Sequence, residues 1–192
     1  MAVELVKRGK TVELTKGGNL TKINVALGWR ENNTGGYDFD PDVSAFLVQK
    51  DGKVMDDGDF IFYGNLKHHT GAVVHSGDDR TGAKEGDNEV ISVDFSKIAA
   101  NVDRIVFTVT IYEAERRNQN FGMMLDSYVR LDNAETGEPL LKYELGEDFS
   151  LETGVIVCEL YKHNGNWKFT ATGAPFTGGL AYLVKTFGLE VA

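Results

Sequence analysis

Large apolar residues fall on every second position in one segment of this chain after another, and that periodicity restricts what it can fold into more than any other feature. In Ile23-Asn24-Val25-Ala26-Leu27-Gly28-Trp29 they hold the odd positions, and in Ile91-Ser92-Val93-Asp94-Phe95 they alternate strictly with polar residues. A strand sends successive side chains to opposite faces, so this pattern places one face in a core and the other toward water. Segments 43–48, 60–63, 105–112, 128–131, 140–145, 155–161 and 167–171 are rich in β-branched and aromatic residues and read as further strands. Turn chemistry separates them in Lys16-Gly17-Gly18-Asn19, Asp51-Gly52-Lys53, Glu135-Thr136-Gly137-Glu138 and His163-Asn164-Gly165-Asn166. Helical spacing is confined to Leu180, Leu183, Val184 and Phe187, with one further turn of helix expected within 96–101. The expectation is an all-β chain, a two-sheet β-sandwich whose short C-terminal helix caps one end, forming a single domain over residues 1–192.

No window approaches the roughly 20 apolar residues that span a bilayer, and residues 1–8 lack the apolar run of a signal peptide. One cysteine, Cys158, cannot form an internal disulfide and fits a reducing compartment. Both points lead to a cytoplasmic expectation.

Charge is unevenly placed. Of 29 acids and 20 bases, segments 38–42, 56–59 and 78–89 hold eleven carboxylates and two cations, Arg80 and Lys84, so the remainder is balanced. The whole excess of the −9 net charge sits in three short stretches, which disfavours nucleic acid and favours a cation or a basic partner.

The strongest of the three is Gly77-Asp78-Asp79-Arg80-Thr81-Gly82-Ala83-Lys84-Glu85-Gly86-Asp87-Asn88-Glu89. Its glycines let the backbone turn sharply, and its side chains supply hard oxygen donors. Calcium takes six to eight such oxygens in irregular geometry, whereas zinc and copper favour thiolates and imidazoles that this loop lacks. Asp78 and Glu89 mimic the ends of an EF-hand loop, but Arg80 and Gly86 break the ligand pattern and the flanks read as strands. Asp38, Asp40 and Asp42 fall on one face of an extended segment, where they repel one another unless a cation sits among them or one takes up a proton. Asp59 is a weaker candidate within Asp56-Asp57-Gly58-Asp59.

These acidic loops belong to a wider pattern: Leu27-Gly28-Trp29, Asp40-Pro41-Asp42-Val43-Ser44-Ala45-Phe46, Asp59-Phe60-Ile61-Phe62-Tyr63, Gly77 through Glu89, Gln119-Asn120-Phe121-Gly122 and Gly178-Gly179-Leu180. Over essentially its whole length the chain resembles the TerD family of bacterial tellurite-resistance and general-stress proteins. The resemblance implies a β-sandwich binding one or two calcium ions through acidic loops. Carried over residue by residue, the implied ligands are Asp40, Asp42, Asp78, Asp79, Thr81, Gly82, Glu85, Asp87, Asn88 and Glu89. Lys84 and Asn88 depart from the family's usual residues and lower the charge available to a second ion. Protein partners in a stress-response system, or membrane association, would follow from the same resemblance.

Other residues read as structural. His68, His69 and His75 are expected as surface groups, Cys158 as a core thiol, and Arg116-Arg117 as part of a solvated turn. No nucleophile elbow, zinc-protease motif, P-loop or dinucleotide fingerprint occurs, so no enzyme is expected. Two other readings stand beside the calcium-binding stress protein: a calcium-dependent membrane- or glycan-binding module, and a carboxylate-based hydrolase.

Overall fold

The computed structural model describes residues 3–18, 20–30, 36–80 and 86–190. Among them twelve strands form two six-stranded sheets. They are β1 (Glu4–Leu5), β2 (Thr11–Glu13), β3 (Lys22–Arg30), β4 (Pro41–Val48), β5 (Phe60–Ile61), β6 (Val73–His75), β7 (Glu89–Asp94), β8 (Arg104–Ile111), β9 (Leu125–Asn133), β10 (Pro139–Glu144), β11 (Gly154–His163) and β12 (Asn166–Phe176). The first sheet runs β1-β10-β9-β3-β7-β6 and the second β2-β12-β11-β8-β4-β5. The β1–β10 pair is parallel. The same described residues hold three α-helices: α1 (Ala114–Arg117), α2 (Leu145–Asp148) and α3 (Gly179–Thr186).

The alternation seen in sequence decides which residues meet between the sheets. Ile23, Val25 and Leu27 of β3 and Ile91 and Val93 of β7 face Val43, Ala45 and Leu47 of β4 and Ile105, Phe107 and Val109 of β8 in one buried cluster. Each of these side chains larger than alanine contributes about 1.5–3 kcal/mol on burial, enough in sum to hold the two layers face to face.

The second half of β4, residues 45–48, is apolar on both faces for a separate reason. Its outward residues Phe46 and Val48, with Val106 of β8, are covered by Leu183 of α3 and by Phe187, which follows the helix. Phe187 stacks on Phe46, Phe46 on Phe60 and Phe60 on Phe62, with ring centroids 4.4, 4.4 and 4.2 Å apart. The C-terminal helix therefore lies across the outer face of the second sheet, not over an end of the sandwich as the sequence suggested. Helix spacing predicts the helix, but only the outward phenylalanines specify where it docks.

Other differences are local. The strand expected over 60–63 stops at Ile61, because Phe62 pairs with Asn65 in a tight turn whose Asn65 Nδ2 donates to the Phe60 carbonyl at 2.8 Å. The turn expected over 96–101 is a 3₁₀ turn at Phe95–Lys97, capped by Asp94. Arg116 and Arg117 lie in a four-residue helix entered and left through left-handed residues, Glu113 and Asn118.

Candidate metal centre

Three connections meet at one end of the sandwich: residues 36–40 leading into β4, the β6–β7 connection, and the β8–β9 connection that carries α1. Asp40 immediately precedes β4 and Asp42 is its second residue, so period-two geometry turns both carboxylates the same way. Asp78 arrives from the opposite sheet, just after Gly77, whose φ of 108° is a turn that an L side chain would strain. Carboxylate oxygens of Asp40, Asp42 and Asp78 all lie within 4.8 Å of one another. Asp40 and Asp42 are buried, 8% and 5% exposed, while Asp78 opens to solvent.

A fully buried carboxylate holds these segments in register. Glu89, the first residue of β7, accepts the Val43 amide on Oε2 at 2.9 Å and the Asp79 amide on Oε1 at 3.2 Å. It thus ties β4 of one sheet to the Asp78–Asp79 segment that follows β6 of the other. His75 supports the same joint. Its Nδ1 accepts the Gly77 amide at 3.0 Å, which leaves Nε2 to donate to the Val43 carbonyl at 3.2 Å, with Glu89 Oε2 3.5 Å away. Asn88 accepts the Trp29 amide at 2.9 Å and donates to Asp79 Oδ2 at 3.3 Å.

Crowding has an electrostatic consequence. Burial, reinforced by Glu89, Asp40 and Asp78, pushes the Asp42 carboxyl up to about 8. Burial and Asp78 push Asp40 up to about 6, with the Arg117 guanidinium acting the other way. Among the described residues two cations approach the trio. Arg80 Nε donates to Asp78 at 2.8 Å, and Arg117 lies 3.9 Å from Asp40. The trio, Asp38, the two arginines and three tyrosines (Tyr37, Tyr63 and Tyr112) line an open cleft of about 350 Å³.

Of the ten residues expected as ligands, the structure brings Asp40, Asp42 and Asp78 together. It places Asp79, Asn88 and Glu89 behind them, in hydrogen bonds that brace the loop. Asp87 turns to the first sheet, where it accepts from Arg130 at 2.7 Å and Tyr128 at 2.8 Å. Thr81, Gly82 and Glu85 lie outside the described residues. Asp59 belongs elsewhere, its Oδ1 lying 3.0 Å from His68 Nε2. The histidine expectation needs correction: His68 and His75 are buried, each because backbone and carboxylate partners satisfy its ring nitrogens. Sequence reasoning also missed Arg117 and the three tyrosines, which are distant in the chain and meet only through the fold.

This geometry gives the comparisons with known proteins their meaning. A family model described as TerD domain matches residues 1–187. The chain belongs to the TerD family. Over the full length of both chains it is 50% identical to General stress protein 16U of Bacillus subtilis. It is 42% identical to the tellurium resistance protein TerD of an Alcaligenes species, covering 95% of this chain and all of that one. A crystal structure of a TerD homologue from Streptomyces coelicolor superposes with a TM-score of 0.74 at 17% identity, covering 90% of this chain and all of the other, and so shares the sandwich fold. No helix among the described residues of this TerD-family protein is long and apolar enough to cross a membrane.

Proposed function

We propose that this TerD-family protein is a calcium-binding module of the cellular response to chemical stress, acting in the cytoplasm by binding rather than by catalysis and passing its signal to a protein partner. The observation that carries the reading is the trio Asp40, Asp42 and Asp78, whose oxygens converge from two sheets. Their donor chemistry fits the ion: all three are hard carboxylates, and two are buried where charge without a counter-ion is costly. Among the described residues the cleft is lined by four carboxylates and two guanidiniums, leaving two negative charges, the charge that one divalent cation neutralises. Asp40, Asp42 and Asp78 would hold the ion, and Glu89 would keep their backbone segments in place. Relatives named for general stress and for tellurium resistance support the cellular role.

Bound calcium would supply a fixed positive charge that locks the β6–β7 connection to the start of β4. The test is calorimetric titration of chelator-stripped protein, with melting curves in calcium, magnesium and chelator. At free calcium about a hundredfold above Kd the fold should gain about 2.7 kcal/mol. Magnesium should give less, because it holds its waters and demands stricter octahedral geometry. No heat of binding and an unchanged melting temperature in millimolar calcium would remove the reading.

A further inference from the structure

The wall of the same cleft carries groups that holding an ion does not use. Arg117 lies over the rings of Tyr112 and Tyr37, 5.2 and 5.6 Å from their centroids, and its side chain is only 17% exposed. Its donors are poorly matched. Carboxylate oxygens stand 3.5 Å away on Glu113 and 3.9 Å away on Asp40, beyond the roughly 2.7–2.9 Å of a strong charge-assisted bond. Nη1 reaches the Asp38 carbonyl at 3.4 Å, and the buried Nε makes no hydrogen bond among the described residues. A guanidinium has five donors in a fixed fork, and leaving them unmet in a partly buried place costs stability unless something else engages them. Arg80 lines the same cleft with its side chain exposed, and Tyr37, Tyr63 and Tyr112 present exposed rings around it. Exposed aromatics beside an under-used arginine are the groups that anchor bound partners.

We propose that this cleft binds a phosphoryl group, with one oxygen on the ion held by Asp40, Asp42 and Asp78 and the others on Arg117 and Arg80. The inference rests on the reading that the trio holds a divalent cation. Calcium takes six to eight oxygens, and among the described residues the trio supplies three carboxylates, which leaves room for further oxygen donors. Among the lining residues the ion offsets the excess of carboxylates over guanidiniums, and an anion finds two forked donors there. A phosphoryl group has three terminal oxygens that reach metal and guanidinium at once, where a carboxylate has two. A soluble phosphate ester and a lipid headgroup offer the same chemistry.

The experiment is a calcium titration of the full chain with and without millimolar glycerol phosphate. A parallel arm sediments the protein with phosphatidylcholine vesicles, with and without phosphatidic acid, in calcium and in chelator. Coupling between the sites is reciprocal, so glycerol phosphate should raise calcium affinity about fivefold or more. Arg117→Gln removes a cation near Asp40, so it should keep or raise calcium affinity in the absence of phosphate while losing the phosphate-dependent gain. Arg80→Gln, at an exposed position that the fold tolerates, should halve that gain or more, which keeps the test valid if Arg117→Gln melts early. Gain with the ester alone identifies a soluble ligand, and calcium-dependent sedimentation with phosphatidic acid identifies a lipid surface. Normal calcium binding with no response to either probe, or a gain that survives both substitutions, overturns the proposal and leaves the ion site standing. Absence of calcium binding overturns both.

Discussion

Replacing Asp42 by asparagine is expected to stabilise the ion-free protein at neutral pH while cutting the gain that calcium gives. Asp42 is 5% exposed, and burial beside Glu89, Asp40 and Asp78 raises its carboxyl from an ordinary 3.8 to about 8. At pH 7 the unfolded chain ionises Asp42 freely, whereas the folded chain must keep it protonated. At about 1.4 kcal/mol per tenfold this costs the fold up to about 4 kcal/mol. Water entry and side-chain movement reduce such costs, and half of that ceiling, about 2 kcal/mol, is the expected gain in chelator. For a chain of this size that is roughly 4–8 °C in melting temperature. The sign also fixes the pH dependence. A raised carboxyl contributes stability fully below 3.8 and loses it as pH climbs through about 8, so parent and variant should converge near pH 4 and separate toward pH 8. In calcium the variant lacks one ligand, and a tenfold weaker site forfeits about 1.4 kcal/mol of binding free energy. Melting curves in chelator and in calcium from pH 4 to 8 measure both effects. An Asp42→Asn variant that melts at or below the parent in chelator at pH 7 would refute the argument that the buried trio is frustrated without an ion.

Three further outcomes follow from the same geometry. Stability of the ion-free parent should fall between pH 5 and 8, as Asp40 and Asp42 titrate through about 6 and about 8, while the calcium-loaded protein should become more stable over that range because protons no longer displace the ion; parallel profiles would contradict this. Asp87→Asn should lose about 0.5–1.5 kcal/mol with its bonds to Arg130 and Tyr128, yet leave calcium affinity within about threefold, and a tenfold loss in titration would place Asp87 on the ion after all. Gly28→Ala should destabilise by about 1–3 kcal/mol in denaturant unfolding, since a Cβ there would run into the Tyr128 ring across the β3–β9 pair; an unchanged midpoint would show that the ring moves aside freely.

Much of this architecture could be read in the chain because strand periodicity is local. Ile23, Val25 and Leu27 declare an inward face without knowledge of any partner, and Leu180 through Phe187 declare a helix. Short edge strands such as β1 and β2 carry too few residues for any period to show. The acidic trio was half legible for a related reason. Clustering marked 38–42 and 78–89 as two acidic segments, since like charges packed in sequence need a counter-charge, but only the fold selects Asp40, Asp42 and Asp78 from them. What each acid does depends on distant residues. Asp87 is diverted by Arg130, 43 positions away, and Glu89 becomes a brace because Val43 presents its amide from the other sheet. His75 looks like a surface residue until Gly77 and Val43 occupy its two nitrogens. Nothing near these residues in sequence announces those meetings.

The aromatic column Phe187–Phe46–Phe60–Phe62 has a consequence for the order in which the molecule can be assembled. Phe46 and Phe60 are synthesised early, but the residues that cover them, Leu183 and Phe187, come more than 120 positions later. Until then this part of the second sheet's outer face stays bare, and Phe46 and Val48 of β4, next to the sheet's edge strand, present an apolar surface together with Val106 of the neighbouring β8. A nascent chain halted before α3 would hold a nearly complete sandwich that is sticky on one side, a natural substrate for chaperones. The C-terminal helix is thus a late seal: the apolar surface is covered only once α3 and Phe187 have been made.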